Sequence, residues 1–479
     1  MLFNSQDLRA VLRDDLVGDS AGDGNFPIDS VVFDSREVRD RTLFVAKRGE
    51  KNDGHDFLRS VLETHSTALA LAERIAPDLG SDLEKRVILV RDSLGAFENL
   101  ALFSRNRVRG VVLGITGSIG KTTAKDLLAA MVSRYGRTHW SQMSFNNHIG
   151  TLTTLANTPP EVEYLVCEVG VGAIGEMARL VGLVRPAVAV VTNIRPSHIS
   201  YFSSEENVAL EKSQLMTQDT KLAILNGDDR WYEFMRAAAS ARGARIMTFG
   251  TGQGADVRLG EHRVTASGAA VVYEIGGRKY SCDLRSPDRN LAYSAMAGLA
   301  FLEYLGFPME KALETLSTQE MPRGRNNIEY ASYLAGGKTV NLTIVNGSYN
   351  AVVPDTFNSG LELMESIFSQ GRGSRKLCIW GDMLETGDRA SEFHLSLRQG
   401  LLRAGVHVLL TIGDNMGKLS ESLKDTALES VHFNSLGELL SSLKDILADG
   451  DLVFIKGSKG MKTYEVLNSL VEDRMKLFV

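Results

Sequence analysis

The residues best suited to chemistry form one glycine-rich run, Thr116-Gly117-Ser118-Ile119-Gly120-Lys121-Thr122-Thr123, directly after an apolar stretch. Its glycines allow backbone N–H groups to turn toward phosphate oxygens, Lys121 would neutralise terminal phosphates, and Thr122 would offer its hydroxyl to Mg²⁺. Residues 123–135 then repeat apolar side chains at helical spacing, and the N-terminus of such a helix adds positive potential. The run therefore predicts a nucleotide-binding loop between a strand and a helix. Because Ile115 stands where the strict Walker pattern has its first glycine, an ordinary glycine-rich turn is the alternative.

Three more residues lie where they would complete a site around this loop. Glu168 ends an apolar run, and in open α/β sheets ligands gather at the carboxyl ends of strands. A carboxylate there would bind Mg²⁺ opposite Thr122 and the phosphates. His198 follows another apolar run, and Lys212 lies in the helical pattern 205–216. Each has an ordinary alternative: a solvated acid at a strand end, a loop histidine, and one lysine of a charged helix face.

The elements that must position these residues divide the chain into three parts. Residues 1–107 combine short strand patterns with a helix and predict a small N-terminal α/β domain. From 108 to 322, buried-type apolar runs alternate with helical patterns, which predicts a doubly wound, mainly parallel sheet of the P-loop type. A joint that contains proline and glycine follows at 321–325. Residues 323–479 repeat the alternation and predict a C-terminal, Rossmann-like α/β domain.

Composition limits the class of protein. A length of 479 residues suggests about three domains, and 43% hydrophobic with 23% charged residues is typical of a globular chain that buries sizeable cores. A net charge of −6 argues against a nucleic-acid-binding protein. The three scattered cysteines have neither a metal-binding spacing nor an even number for disulfides, which favours a reducing compartment, the cytoplasm. Residues 1–15 contain no continuous apolar stretch, so neither a signal peptide nor a membrane anchor is predicted.

The order and spacing of these motifs resemble the Mur ligase family, and within it the branch that adds D-alanyl-D-alanine. The family's phosphate loop, its strand-end glutamate and its TNI segment with a following histidine are matched by Thr116–Thr123, Glu168-Val169-Gly170, and Thr192-Asn193-Ile194 with His198. Other similar segments occur in the same order: Asp34-Ser35-Arg36, 49–57, Phe145-Asn146-Asn147-His148-Ile149-Gly150, Asn290, Gly324-Arg325, Ser348-Tyr349-Asn350-Ala351, Gly381-Asp382-Met383-Leu384-Glu385 and Lys456-Gly457-Ser458-Lys459-Gly460-Met461. The resemblance spans nearly the whole chain.

The resemblance implies an ATP-dependent ligase that forms an amide bond through an acyl phosphate. The expected reaction joins D-alanyl-D-alanine to UDP-N-acetylmuramoyl-tripeptide in peptidoglycan precursor synthesis. It implies that the N-terminal domain holds the nucleotide-sugar substrate, the central domain holds ATP with Mg²⁺, and the C-terminal domain holds the incoming amine. The partners are then small molecules, without nucleic acid or a membrane span, and a monomer is expected.

The same resemblance implies roles for individual residues. Catalytic roles fall to Lys121, Lys212, His198 and Arg325. ATP binding falls to Gly117, Ser118, Gly120, Lys121, Thr122, Thr123, Asn290, Arg325 and Asn346. Substrate binding falls to Ser35, Arg36, Gly54, His55, Asn146, Asn147, Tyr349, Asn350, Lys456 and Ser458. The metal ligands are Thr122, Glu168, His198 and Lys212, the last expected to be carbamylated, since an unmodified ammonium would be repelled by Mg²⁺. For Arg325 the alternative is a surface arginine in a basic loop.

Several positions depart from the family pattern, and they keep other functions open. Arg195 replaces a glycine before the metal-binding histidine, and Arg289 replaces the histidine that usually accompanies Asn290. Asn346-Gly347 stands where two aspartates are usual, which removes a charge expected to hold the ATP ribose. One alternative is therefore a diverged ligase that joins another carboxylate and amine in specialised biosynthesis. The other is a non-catalytic, nucleotide-binding regulator.

Overall fold

The computed structural model describes residues 1–17, 26–49, 52–75, 79–265, 267–320, 322–335 and 337–470. Residues 50 and 51 of the segment 49–57, and Met321 of the predicted joint, lie outside these ranges. Within them the strands form three sheets, which are built in turn from residues 30–89, 111–284 and 327–456. No helix in these ranges combines the length and apolar character needed to cross a lipid bilayer.

The N-terminal unit is a four-stranded parallel sheet in the order β1-β2-β3-β4. Its elements are α1 (Ser5–Leu12), β1 (Ser30–Val32), β2 (Thr42–Val45), α2 (Leu58–Thr64), β3 (Leu69–Ala72), α3 (Ser81–Glu84), β4 (Val87–Leu89) and α4 (Ser93–Arg107), with short 3-10 turns at Ser35–Glu37 and Gly54–Phe57. The middle strands β2 and β3 are buried on both faces, as expected of a parallel sheet covered by helices.

The central unit is a nine-stranded sheet in the order β13-β12-β11-β10-β9-β8-β5-β7-β6. Its strands are β5 (Val111–Thr116), β6 (Thr138–Trp140), β7 (Tyr164–Glu168), β8 (Val188–Val191), β9 (Leu222–Asn226), β10 (Arg245–Gly250), β11 (Val257–Thr265), β12 (Gly268–Ile275) and β13 (Arg278–Leu284). Its helices are α5 (Lys121–Val132), α6 (His148–Ala156), α7 (Glu176–Val184), α8 (Ile199–Phe202), α9 (Glu205–Ser213), α10 (Tyr232–Ser240), α11 (Arg289–Leu305) and α12 (Glu310–Thr318). All pairs from β6 to β11 are parallel, whereas β11, β12 and β13 form an antiparallel edge.

The C-terminal unit is a six-stranded sheet in the order β14-β15-β19-β16-β17-β18. Its elements are β14 (Asn327–Ala335), β15 (Lys338–Gly347), α13 (Asp355–Phe368), β16 (Arg375–Gly381), α14 (Ala390–Arg403), β17 (Val408–Ile412), α15 (Asp414–Glu421), β18 (Glu429–Phe433), α16 (Leu436–Ile446), β19 (Asp451–Lys456) and α17 (Tyr464–Leu470), with 3-10 turns at Gly387–Arg389 and Lys459–Met461. Only the edge pair β14–β15 is antiparallel.

The predicted α/β class, with a doubly wound and mainly parallel central sheet, is confirmed. The helix predicted over 123–135 begins two residues earlier, at Lys121. The sequence analysis did not predict the antiparallel edge of this sheet, where β11, β12 and β13 follow the parallel strands. The N-terminal and central units are not independently packed, because one apolar core runs from Phe3 through Phe97 and Leu100 of α4 to Leu152 of α6. The boundary predicted near residue 107 therefore crosses a shared core.

Candidate active site

The phosphate loop has the geometry that its sequence predicts. Strand β5 ends at Thr116, and Gly117 and Gly120 adopt φ values of +146° and +81°, which L side chains rarely reach. A Cβ at Gly117 would also collide with Thr192 Oγ1. Helix α5 begins at Lys121, whose Nζ donates hydrogen bonds to the carbonyls of Gly117 (2.8 Å) and Ser118 (3.3 Å). The loop therefore wraps an ammonium group at a helix N-terminus, where phosphate binding is favoured.

The segment that follows β8 holds this loop in place. Asn193 Oδ1 accepts a hydrogen bond from the Ile119 N–H (2.9 Å), and its Nδ2 donates to the Ile119 carbonyl (3.0 Å). Ser118 Oγ donates to the Arg195 carbonyl (2.8 Å) and accepts from the Arg195 N–H (2.9 Å). Ile119 is thus held through its backbone N–H and carbonyl rather than through its side chain.

Glu168 is the buried carboxylate beside the loop. Only 1% of the residue is exposed, and its Oε1 accepts a hydrogen bond from Asn146 Nδ2 (2.7 Å). Its Oε2 is buried without a hydrogen-bond partner among the described residues. A buried carboxylate oxygen without a partner carries a large desolvation cost unless a cation meets it. Asn147 has a different role, because its Oδ1 caps α6 by accepting from the Gly150 N–H (2.9 Å).

These residues fit Mg²⁺. In the described part of the chain no three His, Cys, Asp or Glu side chains form a closed metal cage. Mg²⁺ in nucleotide sites is instead held by one or two carboxylates together with substrate phosphates and water. The unpaired oxygen of Glu168 and the buried hydroxyl of Thr122, which lies one residue beyond the loop lysine, are the donors that such a site requires.

His198 and Lys212 lie in the electrostatic field of the loop lysine. Burial lowers the pKa of Lys212 well below its usual range, and the charge of Lys121 lowers it further. Burial also lowers the pKa of His198; Glu385 opposes this shift, while Lys121 and Lys212 add to it. Only 1% of Lys212 is exposed, and no ion pair or hydrogen bond reaches its ammonium within the described ranges. The charge of Lys121 thus acts on both residues, and their membership of one catalytic site stays a prediction.

The C-terminal unit contributes Arg325. Its guanidinium lies over the ring of Tyr349, 4.5 Å from the ring centroid, and Tyr349 Oη is hydrogen-bonded to Ser144 Oγ of the central unit. Gly324 has a φ of +75° and packs against the backbone of Tyr349, where a Cβ would be too close. Burial lowers the pKa of Lys121, and Arg325 lowers it further while Glu168 raises it. Arg325 therefore faces the phosphate loop rather than lying on a remote surface.

Arg195, the residue that departs from the family glycine, joins two units. Its Nη1 donates to Asp229 Oδ2 (2.7 Å) in the central unit, and its Nε donates to Asp355 Oδ2 (2.6 Å) at the start of α13. Asp229 is nearly buried, with 5% of its side chain exposed, whereas Asp355 is 51% exposed. Because the backbone of Arg195 also holds Ser118, this residue connects the phosphate loop to the C-terminal unit.

A cavity of about 470 Å³ lies between the central and C-terminal units. From the central unit it is lined by Asp228, Thr251, His262, Pro287, Asp288, Arg289, Asn290 and Tyr293, and from α13 by Ser359, Glu362, Leu363 and Ser366. The volume is in the range of small-molecule sites. Asn290 is one of the lining residues, and its predicted contact with ATP stays a prediction. Tyr293 Oη is hydrogen-bonded to Asn226 Oδ1 (2.7 Å) and Asp228 Oδ2 (2.9 Å), which fixes one wall.

Other predicted residues of the C-terminal unit make contacts within the fold. Asn346 is buried; its Nδ2 donates to Glu329 Oε1 (2.7 Å) and its Oδ1 accepts from the Ser348 hydroxyl (2.7 Å). Lys456 Nζ donates to the carbonyls of Gly347 (3.1 Å) and Asn350 (2.8 Å). Ser458 Oγ donates a hydrogen bond to the Ala351 carbonyl and accepts one from the Leu384 N–H. These side chains order the loops around Tyr349, and their predicted ligand contacts stay predictions.

The residues of the N-terminal unit that are predicted to bind the nucleotide-sugar are partly exposed and partly engaged in contacts within the fold. Arg36 is exposed and forms a two-pronged pair with Asp34, with Nε to Oδ1 at 2.9 Å and Nη2 to Oδ2 at 2.6 Å. Ser35 is half-buried beside it. His55 is buried instead, and its two ring nitrogens are occupied by Asp53 Oδ1 and the Glu73 N–H. Gly54 packs too tightly against Lys47 for a Cβ. The structure thus gives His55 and Gly54 a structural role in this loop.

Sequence reasoning missed the partners that connect the site residues. Asp229, Asp355 and Glu385 form ion pairs with Arg195 or His198 from distant parts of the chain. Lys125, one turn into α5, is fully buried and donates to the Ser141 and Met143 carbonyls at 2.6 Å each. The only sequence signal for Lys125 is a charged residue on the apolar face of a helix.

Comparison with known proteins gives consistent findings. Residues 115–302 match the model of the Mur ligase middle domain. The chain is 31% identical to the UDP-N-acetylmuramoyl-tripeptide--D-alanyl-D-alanine ligase of Bacillus subtilis, covering 93% of each chain. A crystal structure of MurF from Acinetobacter baumannii has a TM-score of 0.80 at 23% identity, covering 98% of this chain and 99% of that one. MurF from Thermotoga maritima, in complex with ADP, has a TM-score of 0.72 at 23% identity, covering 92% and 96%.

The two arms of Arg195 predict unequal effects on stability. Arg195→Ala leaves the nearly buried Asp229 without its cation and should cost about 1–3 kcal/mol. Asp355→Asn breaks only the exposed arm and should cost less than about 1 kcal/mol. Thermal unfolding of both variants and of the wild type measures the difference. Equal losses in the two variants, or no loss in either, would contradict this assignment.

Lys456 predicts a pH dependence of stability. Burial and the charge of Arg325 lower its pKa to about 7, with Asp288 opposing, whereas the unfolded chain keeps the ordinary value of 10.5. Between these values the unfolded state binds the extra proton, so folding stability rises with pH by up to about 1.4 kcal/mol per unit. Lys456→Met lacks this contribution. Melting curves from pH 6 to 9 should show the free energy of unfolding of the wild type rising with pH relative to that of the variant; a constant or falling difference, wild type minus variant, would refute the prediction.

Proposed function

The chain belongs to the Mur ligase family, and from that premise we propose that it joins D-alanyl-D-alanine to UDP-N-acetylmuramoyl-tripeptide at the expense of ATP. Membership rests on 31% identity to the Bacillus subtilis ligase over nearly the full length of both chains. The chain is accordingly an ATP-dependent ligase that forms a carbon–nitrogen bond. The choice of acid and amine is taken from the names of the relatives.

One observation carries the proposal: two cationic side chains and a buried carboxylate with an unpaired oxygen come together at the phosphate loop. Lys121 and Arg325 are close enough for their charges to interact. Glu168 is the carboxylate that opposes them, and one of its oxygens has no partner in the described chain. A polyphosphate accompanied by a divalent cation would balance both features.

The proposed reaction has two steps. The substrate carboxylate attacks the γ-phosphorus of ATP, giving an acyl phosphate and ADP. The amine of the second substrate then attacks the acyl carbon, phosphate leaves, and an amide forms. One Mg²⁺ held by Thr122 and Glu168, and a second held by His198 and carbamylated Lys212, would screen the repulsion between the carboxylate and the phosphates.

The protein's own groups would do the positioning. The loop N–H groups and Lys121 bind the β- and γ-phosphates, and Arg325 approaches the transferring phosphoryl group from the C-terminal unit. The cavity beside Asn290 would hold the nucleoside. Because Arg325 and Asn290 lie on different units, productive geometry would require both units to be docked.

We assign the three units distinct tasks. Residues 1–107 would bind the nucleotide-sugar substrate, 108–322 ATP, and 323–479 the incoming dipeptide. The exposed Arg36 supports the first assignment, because a free guanidinium edge suits an anionic ligand. Cytoplasmic location is supported by the three cysteines, which are all buried and unpaired.

A second candidate is a ligase of the same mechanism with another acid or amine. It is favoured by Asn346, which is turned inward to Glu329 and Ser348 and supplies no carboxylate to the nucleotide cavity. If the sequence of the C-terminal unit has diverged at Asn346, the amine that this unit binds can have changed as well.

Product analysis decides between the functions. The full chain is incubated with ATP, Mg²⁺, UDP-N-acetylmuramoyl-tripeptide and D-alanyl-D-alanine, and product mass and ADP are measured together. The proposal expects the ligated pentapeptide with one ADP per bond, and no product with Lys121→Ala. ADP release only with another acid or amine from a panel would establish the second candidate. No ADP with any pair would leave a non-catalytic nucleotide-binding protein.

Carbamylation of Lys212 is tested separately. A buried amine with a lowered pKa is partly neutral, which is the form that reacts with CO₂. Lys212→Ala should lose activity by about 100-fold or more, and short carboxylates such as acetate should restore part of it. Wild-type protein in ¹³C-bicarbonate should show a carbamate carbon signal that the variant lacks, while the exposed Lys221→Ala control keeps it. Full activity of Lys212→Ala without rescue would refute the assignment.

A further inference from the structure

A carboxylate from the C-terminal unit meets the predicted metal-binding histidine. Glu385 Oε2 is in hydrogen-bond contact with Nδ1 of His198. The two residues are 187 positions apart in sequence; His198 follows β8 of the central sheet and Glu385 follows β16 of the C-terminal sheet. The ring's other nitrogen, Nε2, makes no hydrogen bond within the described chain. An acid on Nδ1 is the usual way in which proteins fix a histidine so that Nε2 can bind a metal.

The loop that carries Glu385 is held rigidly on both sides. The Met383 N–H donates to His394 Nε2 (2.8 Å), and the Leu384 N–H donates to Ser458 Oγ (2.8 Å). Glu385 itself has a φ of +60°, a left-handed conformation that is uncommon for a residue with a Cβ. Such a backbone persists where the surroundings require it. The loop therefore presents the carboxylate in one fixed direction.

The facing segment of the central unit is equally well ordered. His198 has a φ of +53° and precedes α8. Ser200 Oγ donates to the Glu385 carbonyl (3.2 Å), and Gly387 packs closely against the backbone of Ser200. Ile199 is 6% exposed and belongs to the apolar core of the C-terminal unit, together with Met383. The Glu385–His198 contact is thus part of a packed junction between units.

We propose that Glu385 is a positioning residue that holds the Nδ1–H tautomer of His198, so that docking of the C-terminal unit completes the metal site. Nδ1–H donates to the Glu385 carboxylate, and the lone pair of Nε2 is left available to a divalent cation. Since the carboxylate arrives with the C-terminal unit, metal binding and docking favour each other by the same factor. The inference rests on the proposed function only for the identity of the reaction. The tautomer of His198, and the coupling between metal binding and docking, follow from the contacts at this junction.

Divalent-cation binding tests the inference without turnover. Mn²⁺ is titrated by electron paramagnetic resonance into the full-length protein with a non-hydrolysable ATP analogue. Glu385→Gln keeps the size of the side chain but loses the charge, and it should weaken Mn²⁺ binding by about 10–100-fold. In turnover assays the same variant should raise the Mg²⁺ concentration needed for half-maximal rate more than it raises KM for ATP. Glu385→Asp should recover part of the loss.

Two controls separate positioning from general effects. Glu392→Gln removes an exposed carboxylate of the same unit whose described partner is Arg389, and it should leave Mn²⁺ binding unchanged. In ¹⁵N-histidine-labelled protein, assigned with His198→Asn, the His198 signals should show a protonated Nδ1 in the wild type and lose that tautomer in Glu385→Gln.

The outcomes also separate this inference from the proposed function. Wild-type Mn²⁺ affinity in Glu385→Gln, an equal loss in Glu392→Gln, or an Nε2–H tautomer in the wild type would overturn the inference, even if the ligation assay succeeds. A failed ligation assay would overturn the substrate assignment and leave the Mn²⁺ and tautomer measurements valid.

Discussion

The whole site depends on the meeting of cationic side chains with a buried carboxylate at the phosphate loop. Lys121 is surrounded by the phosphate loop, and the C-terminal unit brings Arg325 close enough to interact with it. Glu168 is held by Asn146, and its other oxygen has no partner among the described residues. In a medium of low dielectric, such an arrangement is costly until an anion and a cation fill it. Affinity for a nucleotide and its metal therefore follows from how these side chains are arranged.

Most of this site could be predicted from local sequence, and the reason is geometric. A glycine-rich run between a strand and a helix fixes its own backbone, so Gly117, Gly120 and Lys121 occupy the expected positions. Glu168 follows because strand ends in a parallel sheet meet at one edge. The contacts that local sequence could not predict are non-local: nothing near His198 in the chain indicates Glu385, and nothing near Arg195 indicates Asp355. The inward turn of Asn346 also depends on Glu329 of the neighbouring strand.

The segment 193–200 connects the phosphate loop with the C-terminal unit. Asn193 and the backbone of Arg195 hold the loop, while the side chain of Arg195 and the ring of His198 reach Asp355 and Glu385 across the junction. Ile199, the residue after His198, packs in the apolar core of the C-terminal unit. A movement of the C-terminal unit would therefore displace the phosphate loop, because the short segment 193–200 contacts both. Arg195 therefore has a structural role at this junction, which it owes to both its backbone and its side chain.

The most direct test of the central claim is a crystal structure of the full chain with Mg²⁺ and a non-hydrolysable ATP analogue. The account predicts that the terminal phosphates lie between Lys121 and Arg325, with Mg²⁺ bound to Oε2 of Glu168, the oxygen for which the described residues supply no partner. A triphosphate bound elsewhere, or bound here with Glu168 and Arg325 out of contact with both phosphate and metal, would contradict it.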